Sequence, residues 1–271
     1  MPEFDDFFVM NDINQIDLNK AIEKYKYFKN SSIPINHLRK YFGVLLQNND
    51  DKMMFRKKEI ANNPFQEFWV LRFLDMAENN YENLSIIKFS TLERNDLKEV
   101  IKISLSENRI TEVKQYLMAK GIYLYFIDFL SGTKIDGAVY KTSNSTIAVG
   151  LTVRYEYLDY LWFTLLHELS HIILHYQLLS DSIVSIEKSE DTIEVESNRL
   201  AKESIISPEK YRVCSPKRTR DSKDMIKYAK ANHIHPALLA GLIRRDLNRF
   251  DIFSDIIQSY KVNRSDLYER I

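Results

Sequence analysis

Apolar residues along this chain recur mostly at the three-and-four spacing of helices, with one interval where they come in short consecutive runs. Residues 16–28 (IDLNKAIEKYKYF) and 34–41 read as two helices parted by a break at 29–33, with a stop at Gly43. A polar stretch at 47–52 reads as a loop. A strong helix follows at 64–77, with Asn63 as its cap, Pro64 in the first helical position and Trp69 as a packing residue. The stretch 79–90 has no clear period. Residues 93–103 and 110–120 form two more amphipathic patterns, the second halted by Gly121.

The consecutive apolar runs come next, at 122–127, 135–140 and 146–151. Turn signals at Ser131-Gly132 and Ser143-Asn144 part them, and they predict three short strands. A helix that is apolar on nearly every face spans 161–176, and the polar stretch 177–192 after it reads as a surface loop. Helix resumes near Ile193 and runs to Pro208. The tail carries helical patterns at 221–231, 236–246 and 250–260.

Composition narrows this picture in three ways. Six glycines and six prolines in 271 residues fit a helix-rich fold with few long loops. The 38 basic and 38 acidic residues cancel, so no global charge points to nucleic acid or a membrane surface. The opening MPEFDDFFVMNDINQ is acidic and without a basic leader, and no run approaches the ~18 apolar residues of a spanning helix. The expectation is a soluble, cytoplasmic protein with no membrane partner. The single Cys214 excludes an internal disulfide and fits a reducing compartment.

Chemistry concentrates in the all-round apolar helix, LWFTLLHELSHIILHY, where His-Glu-Leu-Ser-His occupies 167–171. On a helix His167 and His171 lie one turn apart and point the same way, so their imidazoles can share a Zn²⁺. Glu168, about 100° further round, can reach water at the metal as general base. With six histidines in the chain, the pattern would arise by accident in on the order of one such chain in a hundred. Burying a carboxylate and two imidazoles in apolar surroundings without partners costs on the order of several kcal/mol, and a cation satisfies all three. The competing readings are a metal-free relic and a hydrogen-bonded core cluster. The fold expected is α+β and mainly helical: a helical N-terminal region over 1–92, then a zincin-like catalytic domain over 93–271. In that domain the three-stranded sheet packs on the metal helix and the C-terminal part is helical. Such a sheet could present an edge to an extended peptide.

A catalytic zinc takes three protein ligands and keeps one position for water. His175 continues the spacing but would stand roughly 12 Å from His167, too far to share an ion, and is assigned to the core or to supporting contacts. The metzincin pattern would need His where Gln177 stands. On the next helix the inward face runs through Ile193, Ser197, Leu200, Ala201, Ser204 and Ile205, and Glu196 is placed in its middle. That makes Glu196 the expected third ligand, with Glu194 as runner-up and a buried ion pair as the alternative for Glu196. Tyr155, Tyr157, Tyr176 and Arg154 flank the metal helix as possible oxyanion donors, among which the residues do not choose.

The runs GAVYKTSNSTIAVGLTVRYEYLDYLWFTLLHELSHIILH and EVESNRLAKESIISP resemble the ImmA/IrrE zinc metallopeptidases, particularly those joined to or encoded with XRE-type repressors or antitoxins. The likeness runs from about Ile110 to Leu247, and a weaker one covers His37 to Phe73. It implies a gluzincin-like endopeptidase with zinc histidines at His167 and His171, a catalytic glutamate at Glu168 and a glutamate ligand at Glu196. Ser170 stands where relatives often have Gly, Ser197 where Ala is usual and Leu200 where Phe is common, changes expected not to touch the ligands. The DNA-binding helix-turn-helix of fused relatives is not found ahead of the connector. The resemblance therefore implies a separate protein substrate, a helix-turn-helix repressor controlling stress, mobile-element or antiphage genes. The rival is a non-catalytic module that binds a repressor or DNA. Its best feature is DMIKYAKANHIHPALLAGLIRR, a helix-turn-helix pattern with a basic end at Arg244 and Arg245, although the resemblance places a similar segment in the peptidase region and so implies packing beside the site.

Overall fold

A computed structural model describes residues 64–79, 86–129, 133–180, 192–263 and 267; the helices expected at 16–28 and 34–41 lie outside them. The chain divides into two compact units, residues 1–80 with 128–135 and residues 81–127 with 136–271. In the first unit α1 (Pro64–Asn79) buries Trp69, Val70, Phe73 and Ala77 along one face. The Trp69 and Phe73 rings lie 5.6 Å apart, as the i, i+4 spacing requires.

The second unit opens with α2 (Arg94–Ile103) and α3 (Arg109–Met118). Glu93 and Asp96 form a capping box at the start of α2, with the Glu93 N–H donating to Asp96 Oδ2 at 2.7 Å. Gly121 ends the α3 segment at φ +78°, and a Cβ there would fall 2.4 Å from the Lys88 carbonyl carbon, so both backbone conformation and close approach demand glycine. Leu92, near which the sequence places a boundary, is a buried core residue of this unit.

Three strands follow: β1 (Ile122–Asp128), β2 (Gly137–Lys141) and β3 (Ile147–Val153). They form a mixed sheet in the order β1-β3-β2, so β3 is central and β2 is an edge. Every residue of β3 is buried, which explains its unbroken apolar run IAVGLTV. β2 pairs antiparallel with β3 from Gly137↔Leu151 to Lys141↔Ile147. Backbone bonds Thr152 N–H to Asp136 O and Thr142 N–H to Thr146 O bracket that pairing. By the alternation of an antiparallel ladder, the backbone groups of Gly137, Val139 and Lys141 point away from β3, toward the open edge.

The long helix α4 (Leu158–His175) packs on β2 and β3 and against α5 (Thr192–Ile205) and α9 (Pro236–Asp246). Its Leu158, Leu161, Trp162, Leu165, Leu166, Leu169 and Ile172 are all buried, and the Trp162 indole N–H donates to Val100 O at 3.0 Å. A 3₁₀ turn, Tyr176–Ser180, occupies the start of the expected loop. Short helices α6 (Pro208–Arg212) and α7 (Pro216–Thr219), which the apolar pattern does not announce, precede α8 (Ser222–Ala231). The pattern at 250–260 contracts to α10 (Ser254–Ser259), because Phe253 takes a left-handed conformation at φ 54°. No helix among the described residues is long and apolar enough to cross a membrane.

The basic end of α9 is used inside the fold. Arg245 lies over the Phe163 ring, 4.1 Å from its centroid, with Nη2 3.9 Å from Asp159 Oδ2, while Arg244 donates to the Phe250 carbonyl. Gly241 gives this pair room, since a Cβ there would fall 2.4 Å from Asp159 Oδ2.

His235 caps α9 with its Nδ1, which accepts the Ala237 N–H at 3.1 Å while the ring stands edge-on to Tyr260. Burial, helped by the Arg109 charge, pushes its pKa down to about 4. The unfolded imidazole takes up a proton near pH 6.5 and the capped one only near 4, so between these values the unfolded chain binds more protons and stability is lost as the pH drops. The expected loss is up to about 3 kcal/mol across that window. In His235→Asn, which keeps a capping oxygen but does not titrate, this component should vanish. Urea unfolding of both proteins at pH 7 and 4.5 checks it; equal pH dependence in the two would contradict the assignment.

Candidate metal centre

The centre is built by α4 and α5. One turn of α4 separates His167 from His171, and their rings stand edge to face with Nε2 atoms 3.0 Å apart. Glu194, in the first turn of α5, places Oε2 3.1 Å from His167 Nε2 and Oε1 3.3 Å from His171 Nε2. These are the one group of three or more ligating side chains among the described residues able to hold a metal ion.

Glu196, expected as the third ligand, is not part of it. Its side chain is 42% exposed and turns to His175, with Oε2 3.8 Å from that Nε2. The reason is rotational phase. The buried residues of α5 are Ser197, Leu200, Ala201 and Ile205. At 100° per residue, Glu194 lies about 45° from the centre of that stripe and Glu196 about 115° from it. The expected face followed the right apolar residues but set the wrong carboxylate upon it. His175 falls outside the three-donor group, as its distance along the helix requires.

Two residues of α5 orient the imidazoles. Asn198 Oδ1 lies 3.1 Å from His167 Nδ1, and Ser197 Oγ 3.1 Å from His171 Nδ1. The expectation that Ser197 would leave the ligands untouched is therefore overturned: its hydroxyl, fully buried, bonds one of them. The signal was available, for Ser197 and Asn198 stand three and four residues beyond Glu194 and share its face. With each Nδ1 turned outward to an oxygen, both Nε2 atoms face the Glu194 carboxylate.

Without a metal such convergence is tolerable only if a proton stands between the groups. Burial disfavours the charged form of His167, but the bond from Glu194 and the charges of Glu168 and Glu194 outweigh it and raise the pKa. Burial together with the His167 charge lowers that of His171, despite Glu194. Glu194 is itself held down at about 2: burial opposes ionisation, and its bonds to His167 and His171 prevail. Glu194 thus favours the charged form of His167, while burial and His167 disfavour that of His171. Three ligands at about 2.1 Å from a tetrahedral ion stand about 3.4 Å apart, so the observed spacings fit a divalent cation with shifts of a few tenths of an ångström.

Glu168, 1% exposed, sits beside this cluster with its carboxyl against the first residue of β2. Arg154 pairs with Asp136 at 3.0 Å, and Tyr155 stacks edge-on with Tyr160. Tyr157 forms an isolated bridge with Lys261, and Tyr176 stacks on Phe89 under the Lys141 ammonium. Cys214 is buried, which raises its pKa and leaves it a packing residue.

A His-x₃-His helix beside a three-stranded sheet, completed by a carboxylate from the next helix, defines the metal-dependent peptidases of zincin type. The comparison with protein families agrees. Residues 158–233, from the start of α4 past α8, match the family model Peptidase_M78, described as the IrrE N-terminal-like domain. No curated protein matches the chain.

Glu194→Ala should cut metal retained after dialysis to trace levels, whereas Glu196→Ala should retain nearly the full complement. Metal analysis of the two purified variants checks this, and a Glu194→Ala protein that still holds one ion would exclude Glu194 as ligand.

Proposed function

We propose that the chain is a zinc-dependent endopeptidase that cleaves a protein partner, a helix-turn-helix transcriptional repressor or antitoxin, in the control of stress, mobile-element or antiphage genes. The observation that carries the peptidase reading is the convergence of His167 Nε2, His171 Nε2 and Glu194 beside buried Glu168. Two imidazoles and one carboxylate at near-tetrahedral spacing favour zinc over the oxygen-seeking cations. The nature of the partner rests on the family resemblance.

Zinc held there supplies Lewis acidity, bringing the pKa of water toward about 7 and polarising a carbonyl. His167, His171 and Glu194 would hold the ion, and Asn198 and Ser197 fix the orientation of the two rings. The Glu168 carboxylate takes the proton of the attacking water and delivers it to the amine nitrogen as the peptide bond breaks. The outward backbone groups of Gly137, Val139 and Lys141 give an extended peptide a strand to pair with, alongside that carboxylate.

Glu168→Gln should keep its metal and lose cleavage by about 10²- to 10⁴-fold, measured on a purified helix-turn-helix repressor that the parent protein cleaves. Unchanged turnover would end the proposal. Val139→Pro removes an N–H that points away from β3, so the sheet keeps its ladder while the edge loses a donor. The Michaelis constant should then rise about three- to tenfold with metal content unaltered. An unaltered constant would mean that peptides do not pair there.

A further inference from the structure

We infer that Gly137 is a positioning residue for Glu168, leaving the space its carboxylate needs. The inference rests on the proposed role of Glu168 and adds to it the element that sets where that carboxylate stands. A Cβ built on Gly137 would lie 2.5 Å from Glu168 Oε1, 2.8 Å from Cγ and 2.9 Å from Cδ, all closer than real Cβ atoms approach. Glu168 is 1% exposed on a helix that packs against β2, so it stands where it does because the strand presents a bare α-carbon.

The backbone does not account for this glycine. Gly137 lies in regular antiparallel pairing opposite Leu151, and among the described residues only Gly121 is a glycine at positive φ. Any residue could adopt the conformation. What remains is the missing side chain, the mark of close approach by another group. The approaching group is also the flexible end of a side chain. A methyl group at 137 therefore displaces the Glu168 carboxylate and spares the strand. The three atoms nearest to it all belong to Glu168 and none to the donors His167, His171 and Glu194.

Acetohydroxamate, which binds zinc through two oxygens and gives a proton to a neighbouring carboxylate, tests this without a known substrate. In the full-length, zinc-loaded protein, Gly137→Ala should bind acetohydroxamate about ten- to a hundredfold more weakly, the scale of an ångström's misplacement. Zinc affinity by chelator competition and the melting temperature should match those of the parent. Glu168→Gln should show a similar loss, and the double variant should be little worse than either single one, since both changes remove the same interaction. Parent-like acetohydroxamate affinity in Gly137→Ala, with Glu168→Gln weakened, overturns the inference and leaves the role of Glu168 intact. Parent-like affinity in Glu168→Gln overturns both together. A fall in melting temperature and zinc affinity in Gly137→Ala also overturns the inference, because it makes glycine a requirement of the strand.

Discussion

Two imidazole lone pairs and a carboxylate facing one point in an apolar interior are the constraint around which this molecule is arranged. Each group alone is costly to bury, and together they are stable only around a positive charge. A divalent cation held between them would supply that charge. The supporting bonds follow from the same requirement: Asn198 and Ser197 engage the far nitrogens, so that the near ones turn lone pairs to the centre. The apolar residues around α4 supply the dry setting in which these interactions are strong.

What the sequence could convey depended on how local each relation is. His167, Glu168 and His171 lie within five residues on one helix, so spacing alone fixes their mutual direction. The third ligand sits on another helix, and its identity turns on rotational phase, where Glu194 and Glu196 differ by two residues, or about 200°. The apolar stripe of α5 was legible; the carboxylate completing it was misassigned because Glu196 stands beside Ser197 in sequence but not on its face. Three strands were legible from their composition. Their order was not, because the crossover that makes β3 central and β2 an edge leaves no mark in hydrophobic spacing. The meeting of Gly137 with Glu168 spans thirty-one positions and arises only when β2 lies on α4.

The helix-turn-helix pattern of α8 and α9 shows how a local signal can serve a different end. A capped helix, a turn and a second helix with terminal arginines are present as the sequence suggests. Yet α9 packs on α4, and its Arg245 lies against Phe163 and Asp159. A guanidinium held over an aromatic ring and directed at a half-buried carboxylate is part of the scaffold. The packed role is the one the resemblance implied for this segment; periodicity alone could not decide it, since it tells which residues share a face but not what covers it.

The division of labour between α4 and α5 links assembly to chemistry. One helix carries both histidines and Glu168; the other carries Glu194 and both orienting side chains. Neither holds a usable set of donors alone, so the centre exists only where the two dock. Leu200, Ala201 and Ile205 provide the burial that drives docking, and burial of this kind is indifferent to small slides along the axis. The polar groups are not indifferent. A slip of one residue turns α5 by about 100°, taking Glu194 from the histidines and Asn198 from His167. Hydrophobic contact thus brings the helices together, and the charged centre selects the single register in which they can act.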